Sequence, residues 1–385
     1  MRRDFAKSMK KILISIAIVL VLGGFVYVQT VGKANNTGSI KIGFIGAMTG
    51  PVAKEGMYEA VRLAVDDINS KGGINSHPIE LIAEDGRCDS KTAVDAMNKL
   101  INIDKVKIVL GGHCTPESLA IAPVAQANKV LMLASITTSP ALTGIGDYVL
   151  RTSPVSVVQA DLVSDLAYNK IGVRKMAIVY EQTDYSRPIA EKMRDNFSKL
   201  TGEVVVFEAY TSGTTDFRTV LTKIKSKGAD SIYLSALSPD STLSFMKQTK
   251  ELGLSKIKLF GNDAAGMPVN IQKEPKLYEG FVFGLPDFDA NATNTKSFID
   301  EYNKKYGTTE LPYGIWTAEC YDAVQIIANE ITKNGMDIVK IKNDLHNLKD
   351  YKGVSGTFSI GSDGNGIRDY SLRIVKNGKI EKYNQ

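Results

Sequence analysis

From Ile40 onward, short apolar runs alternate with amphipathic stretches. Ile40–Gly46, Ile79–Glu84, Lys107–Gly111 and Val130–Ala134 have the length and composition of buried strands. Between the first two, Met57, Val61, Ala64, Val65 and Ile68 share one face of a helical period, and Lys71-Gly72-Gly73 supplies the stop. The pattern then begins again, with strands at Lys175–Tyr180, Val204–Ala209, Ser231–Leu234 and Ile257–Gly261. Strand–helix alternation folds into parallel sheets with right-handed crossovers, so two series predict an α/β protein of two doubly wound, Rossmann-like lobes. Residues 293–346 read as mostly helical, and Ser355–Ile360 and Tyr370–Val375 as closing strands. A length of 385 residues suits two lobes better than one domain.

The N-terminus follows a different pattern. Ile12–Val28 is apolar apart from Ser15, Gly23, Gly24 and Tyr27, and the basic residues Arg2, Arg3, Lys7, Lys10 and Lys11 precede it. A basic stretch followed by an apolar one is the arrangement of an export signal. Seventeen residues is long for a signal core and short for a membrane span, so residues 1–38 read as a cleaved signal or a retained membrane anchor with its spacer. Gly32 and Ala34 offer a small-x-small cleavage site, and no Cys follows the run to carry a lipid.

Charge and composition narrow the function classes. The formal charge is +5, and a surplus of +4 lies in the first eleven residues, so the body is nearly neutral and presents no nucleic-acid footprint. Only three His and three Cys are present, with no phosphate-binding loop, zinc helix, nucleophile elbow or paired-Cys metal spacing. His113 beside Cys114 is the one candidate dyad, but neighbouring side chains at a strand end point apart. The sequence therefore calls for no catalytic residue, no metal and no cofactor.

In open α/β sheets, ligands bind beyond the carboxyl ends of the strands. Here those segments are Met48–Gly56, Cys114–Glu117, Ile136–Pro140, Gln182–Ser186, Leu237–Asp240 and Asn262–Gly266. They carry the hydroxyls of Thr115, Thr137, Thr138 and Ser139, the aromatic Tyr185 with Tyr58 nearby, and the isolated acid Asp263. Hydroxyls and helix-start N–H groups suit a carboxylate, and an acid opposite them suits an ammonium, so the set fits a zwitterion. Each also has a structural role open to it: Thr115-Pro116-Glu117 reads as a helix N-cap, Thr137–Pro140 and Asn262-Asp263 as turns, and Trp316 as helix core.

The runs Ile40 to Ala53, Asp67 to Ile74 and Gly86-Arg87-Cys88-Asp89 resemble the leucine/isoleucine/valine-binding proteins, receptors of branched-chain amino-acid ABC transporters with the type I periplasmic-binding-protein fold. Ile178-Val179-Tyr180 followed by Tyr185, Asp216-Phe217 and Tyr321-Asp322-Ala323-Val324 extend the likeness over residues 39–385. It implies three crossovers, near Arg151–Val155, Gly284–Asp287 and Gly366–Tyr370. Lobe 1 would then be 39–152 with 287–366, and lobe 2 would be 153–286 with 367–385.

The resemblance also assigns roles. Thr115 and Thr138 fall on carboxylate-binding hydroxyls and the Ile136 carbonyl on an ammonium acceptor. Tyr185 matches a second-lobe aromatic over the α-carbon groups, Asp263 the acid that takes the ammonium, and Trp316 an aromatic of the side-chain pocket. Glu55 and Leu237 depart from the pattern, standing where similar binders carry aromatics. Cys88 and Cys114 are implied to pair, leaving Cys320 free. The implied protein is an exported monomer that delivers an amino-acid-like solute to an ABC permease and its ATPase subunits. A sensor ectodomain of the same fold, or a receptor for a short amide or small organic acid, are the competing readings.

Overall fold

A computed structural model describes residues 38–50 and 56–384. The stretch Ile12–Val28 and Glu55 lie outside the described residues. No helix among the described residues is long and apolar enough to cross a membrane.

The first sheet holds β1 (Ile40–Gly46), β2 (Ile79–Asp85), β3 (Ile108–Gly111), β4 (Leu131–Ala134) and β5 (Val149–Arg151). They are all parallel, in the order β2-β1-β3-β4-β5. Successive residues alternate between two buried faces. Ile42, Phe44, Ile108, Leu110, Leu131 and Leu133 meet α1 (Met57–Ser70) on one face. Ile45, Val109 and Met132 meet α2 (Ser90–Asn102) and α3 (Thr115–Asn128) on the other. The expected face of α1 is buried at Met57, Val61, Ala64 and Val65, and its stop is built as anticipated, with Gly72 and Gly73 both at positive φ.

The chain next enters the second sheet through α4 (Val158–Asp165). Five parallel strands follow: β6 (Lys175–Glu181), β7 (Glu203–Tyr210), β8 (Ser231–Ser235), β9 (Lys258–Gly261) and β10 (Val282–Pro286). The helices α5 (Ser186–Lys199), α6 (Arg218–Ser226), α7 (Pro239–Glu251) and α8 (Pro268–Lys273) alternate with them. It returns to the first lobe for α9 (Thr293–Tyr306), α10 (Ile315–Asn334) and α11 (Ile338–Leu345), then forms a small sheet of β11 (Tyr351–Gly353), β12 (Gly356–Ile360) and β13 (Gly366–Ile367). α10 completes the core over α1 through Trp316, Val324 and Ile327.

The last strands, β14 (Tyr370–Lys376) and β15 (Lys379–Lys382), join the second sheet antiparallel, giving the order β15-β14-β10-β9-β8-β6-β7. That corrects the expectation of purely parallel sheets. β14 enters from the other lobe, so no helical crossover sets its direction, and Asn377-Gly378 turns it back as a hairpin.

The three passages between lobes lie side by side. Arg151 N–H donates to the Gly364 carbonyl at 2.9 Å, and Gly366 N–H to Ser153 at 3.2 Å. A Cβ on Gly366 would collide with the Thr152 carbonyl oxygen, so only glycine allows this approach.

Candidate functional site

The carboxyl ends of β3 and β4 in one lobe face those of β6, β8 and β9 in the other. The cleft between them is lined by His113, Cys114, Thr115, Ile136, Thr137, Thr138 and Trp316 from the first lobe, and by Tyr185, Leu237, Asp263, Ala264 and Met267 from the second. All six residues singled out in the sequence (Thr115, Ile136, Thr138, Tyr185, Asp263 and Trp316) therefore stand around one space.

The first wall is the start of α3. Gly111 ends β3 at φ 134°, where a Cβ would strike the Ile45 carbonyl oxygen, and this glycine lets the chain turn into the helix. Cys114, not Thr115, is the N-cap, and Pro116 lies in the first turn. The reason is Glu117, which is fully buried and accepts from the N–H groups of Cys88, His113 and Cys114 at 2.8, 2.9 and 3.1 Å. The carboxylate does the capping, and Thr115 is not needed for it. Cys88 and Cys114 are joined, with Cα atoms 5.4 Å apart, and Cys320 is a buried free cysteine. With Cys114 in a disulfide, a His113–Cys114 dyad has no thiol. His113 instead sets its Nε2 3.2 Å from Ser135 Oγ and 3.8 Å from Cys320 Sγ.

The second wall is the loop after β4. Thr137 and Thr138 are both buried, but their hydroxyls differ in use. Thr137 Oγ1 donates to the Gly112 carbonyl at 2.9 Å and lies 2.7 Å from Ser118 Oγ, so it braces the loop. The hydroxyls of Thr138 and Thr115 bond to no other described residue. Ser139 Oγ crosses the seam and donates to the Asp184 carbonyl at 2.9 Å.

The third wall is Asp263, 2% exposed at the end of β9. Its Oδ1 accepts from Gln159 Nε2 at 2.8 Å and from the Tyr185 hydroxyl, and its N–H donates to Gln159 Oε1 at 2.8 Å. Burial raises the Asp263 pKa above its ordinary value, with the Tyr185 and Gln159 bonds opposing the shift. The same burial, with the neighbouring carboxylate, pushes the Tyr185 phenol well up. The turn itself is held by Asn262, whose Oδ1 accepts from Ala265 N–H at 3.1 Å and Ala236 N–H at 3.2 Å. Asp263 is thus left to face the cleft.

Trp316 joins both of its possible roles: it is 3% exposed in the core over α1 and also lines the cleft. Tyr58 is absent from the cleft wall and packs on Phe44, ring centroids 5.2 Å apart. Among the described residues, no group of three or more His, Cys, Asp or Glu is placed to hold a metal.

Sequence reasoning missed four residues that hold this site. Gln159 orients Asp263 from 104 positions away. Arg151, 1% exposed, donates to the Thr137 and Ser139 carbonyls at 3.2 and 2.6 Å and to Asn365 Oδ1 at 2.8 and 2.6 Å. Glu319 and Arg368 form a buried pair at 3.3 Å, with Ser153 Oγ donating to Glu319 at 2.7 Å. Two carboxylates, Glu319 and Asp322, inside the largely apolar first half of α10 were the available signal for Glu319; Gln159 and Arg151 had none.

The model of a family described as periplasmic binding protein matches residues 39–379. The chain belongs to that family. Membership gives an extracytoplasmic location, where a disulfide persists. The Leu/Ile/Val-binding protein of Citrobacter freundii is 30% identical over 65% of this chain and 71% of its own length. The leucine-, isoleucine-, valine-, threonine- and alanine-binding protein of Pseudomonas aeruginosa is 28% identical, over 77% of this chain and 79% of its own. Among solved structures, a leucine-binding protein of Thermotoga maritima superposes with TM-score 0.82 at 26% identity, covering 90% of this chain and 98% of that one. A branched-chain amino-acid transporter substrate-binding protein of Streptococcus pneumoniae, in complex with isoleucine, gives 0.81 at 27%, covering 89% and 98%. The fold is the type I periplasmic-binding-protein fold, two doubly wound lobes joined by three crossovers.

Proposed function

We propose that this chain is the solute receptor of an ABC transporter and that it binds an α-amino acid between its lobes. The observation that carries the reading is the polarity of the cleft. On one side lie the start of α3 and two unengaged hydroxyls, Thr115 and Thr138. On the other lies one buried carboxylate, Asp263, aimed by Gln159 and Tyr185. A helix start with hydroxyls favours a carboxylate, and a desolvated carboxylate favours an ammonium. The Ile136 carbonyl supplies a neutral acceptor for the same ammonium. The names of the Citrobacter, Pseudomonas and Thermotoga relatives support branched-chain amino acids as the solute class.

In this reading lobe 1 is 39–152 with 287–366 and lobe 2 is 153–286 with 367–385. The receptor works as a monomer with a permease and its ATPase subunits, and residues 1–38 export it or tether it to the membrane. Calorimetry against the twenty amino acids and their deaminated analogues tests the proposal. An amino acid should bind and its deaminated analogue should not. Binding of the deaminated acids with no response to any amino acid would refute it.

A further inference from the structure

The end of the first lobe opposite the cleft is hollow. Gly38 and Lys41 at the start of β1, His77 before β2, Lys105 and Lys107 before β3, and Met336 after α10 surround a cavity of about 510 Å³. Three lysines and a histidine line it, and among the described residues no acid does. Lys41, Lys105 and Lys107 are exposed, and none of them forms an ion pair among the described residues. The acids at the rim are engaged elsewhere: Asp104 pairs with Lys99 at 3.1 Å, and Asp337 with Lys340 at 3.3 Å. Glu80 accepts from the Ser39 hydroxyl and by itself leaves the rim positive.

Exposed apolar side chains gather round the same hollow. Ile103, two residues before Lys105, is 72% exposed, and Met336 and Val339 at the start of α11 are 43% and 52% exposed. Scattered singly, such residues need no explanation; beside unpaired lysines they make the mixed surface that suits a headgroup layer. The amino ends of the second sheet, at the far end of the molecule, also carry exposed lysines, Lys227, Lys256 and Lys258. None of the exposed large apolar side chains lies beside those.

The chain outside the described residues arrives at this end. Residues 29–37 separate Gly38 from the apolar run Ile12–Val28, a stretch that spans at most about 35 Å. They hold Lys33 and no acid, so the protein's own segment brings the hollow no counter-charge. We propose that this end of the first lobe faces the membrane and rests on anionic phospholipid headgroups. Their phosphates sit among Lys41, Lys105 and Lys107, while Ile103, Met336 and Val339 reach the acyl boundary. The inference rests on the tethering alternative for residues 1–38. A short tether holds the surface at high effective concentration, so contacts too weak to recruit a free protein suffice. The strands of the first sheet run from this end to the cleft, which therefore stands a strand's length from the lipid.

The test reconstitutes the full-length chain into vesicles of phosphatidylcholine, with or without added phosphatidylglycerol. Lysines are acylated with an uncharged reagent and read by mass spectrometry. Lys41, Lys105 and Lys107 should react about tenfold more slowly on the anionic vesicles, and high salt should restore them. Lys227, Lys256 and Lys258 should change by no more than about twofold. Ile103→Asp, and separately Val339→Asp, should return the protected lysines toward their rates on phosphatidylcholine, with Tm unchanged because both side chains are exposed. Absence of protection, equal protection of the far-end lysines, or protection that survives both variants overturns the membrane-facing surface while the tether stands. Failure of the chain to float with vesicles of either composition overturns the tether, and this inference with it.

Discussion

Replacing Asp263 by Asn is the most searching perturbation of the proposed site. The side chain keeps its shape and one carbonyl oxygen, so Tyr185 and Gln159 retain an acceptor where Asp263 Oδ1 now stands. What disappears is the charge. In a water-poor cleft, truncating one partner of a buried charged pair costs about 2–5 kcal/mol, roughly 30-fold to several thousand-fold in Kd. Asp263→Ala is a different experiment. It strands the Tyr185 hydroxyl and the Gln159 amide, at about 1–3 kcal/mol each, so it should lower stability as well as affinity. Calorimetry of Asp263→Asn with the best amino acid therefore isolates the charge. A Kd within twofold of the unsubstituted protein would refute the ammonium assignment.

The same carboxylate predicts a pH dependence. Burial lifts the Asp263 pKa above its ordinary 3.8 in the ligand-free protein. A bound ammonium would pull it back down, so binding releases a proton when the pH lies below the raised value, and affinity falls as the pH drops through it. Stability runs the other way. With the folded pKa above the unfolded one, the contribution of Asp263 is fully present below 3.8 and is lost as pH rises through the raised value. Ligand should therefore stabilise the protein more at neutral pH than in acid, and thermal shifts that grow on acidification would contradict this.

Three further outcomes are expected. Thr138→Val should weaken amino-acid binding by about 1 kcal/mol, near fivefold, without changing Tm, whereas Thr137→Val should lower Tm because its hydroxyl braces Gly112 and Ser118. Cys88→Ser should cost about 3.5 kcal/mol by loop entropy over a separation of 26 residues, read by urea unfolding. Glu319→Gln leaves Arg368 buried without its counter-ion and should cost about 3–5 kcal/mol in the same assay.

The regular parts of the fold were legible because both faces of each central strand are buried. Ile40–Gly46 was read with its observed bounds, and the strands begun near 79, 107, 130, 175, 204, 231 and 257 were placed to within a residue or two. Val149–Arg151 was missed because three residues carry no period, and the strand Val282–Pro286, which leads into the crossover expected near Gly284–Asp287, was missed because Gly284 and Pro286 interrupt it. The strand-end rule drew Thr115, Thr138, Tyr185 and Asp263 toward one cleft because parallel sheets deliver their loops to one edge. It could not say which hydroxyl was engaged. Thr137 and Thr138 are neighbours of identical chemistry, and only the positions of Gly112 and Ser118 separate a brace from a free group.

What links that cleft to the lobe crossovers is a set of buried polar contacts between distant positions. Arg151, on the last strand before the first crossover, holds the carbonyls of Thr137 and Ser139 and reaches Asn365 just before the third. Glu319 holds Ser153 in the first crossover and pairs with Arg368 in the third. The loop carrying Thr138 is thereby fixed to the crossovers on one side, and Ser139 Oγ fixes it across the seam to Asp184, next to Tyr185. A solute bonded to both Thr138 and Asp263 would add its free energy only to arrangements in which the lobes stand this close. The loop is short and pinned at both ends, so movement of the second lobe changes the Ser139–Asp184 contact before it can change Arg151. Ser139→Ala should accordingly speed ligand release and leave thermal stability nearly unchanged. Arg151→Met should do the reverse, unfolding the protein at lower temperature because Asn365 and two carbonyls lose a buried donor. A stopped-flow release rate unchanged in Ser139→Ala would show that the seam bond does not hold the lobes together.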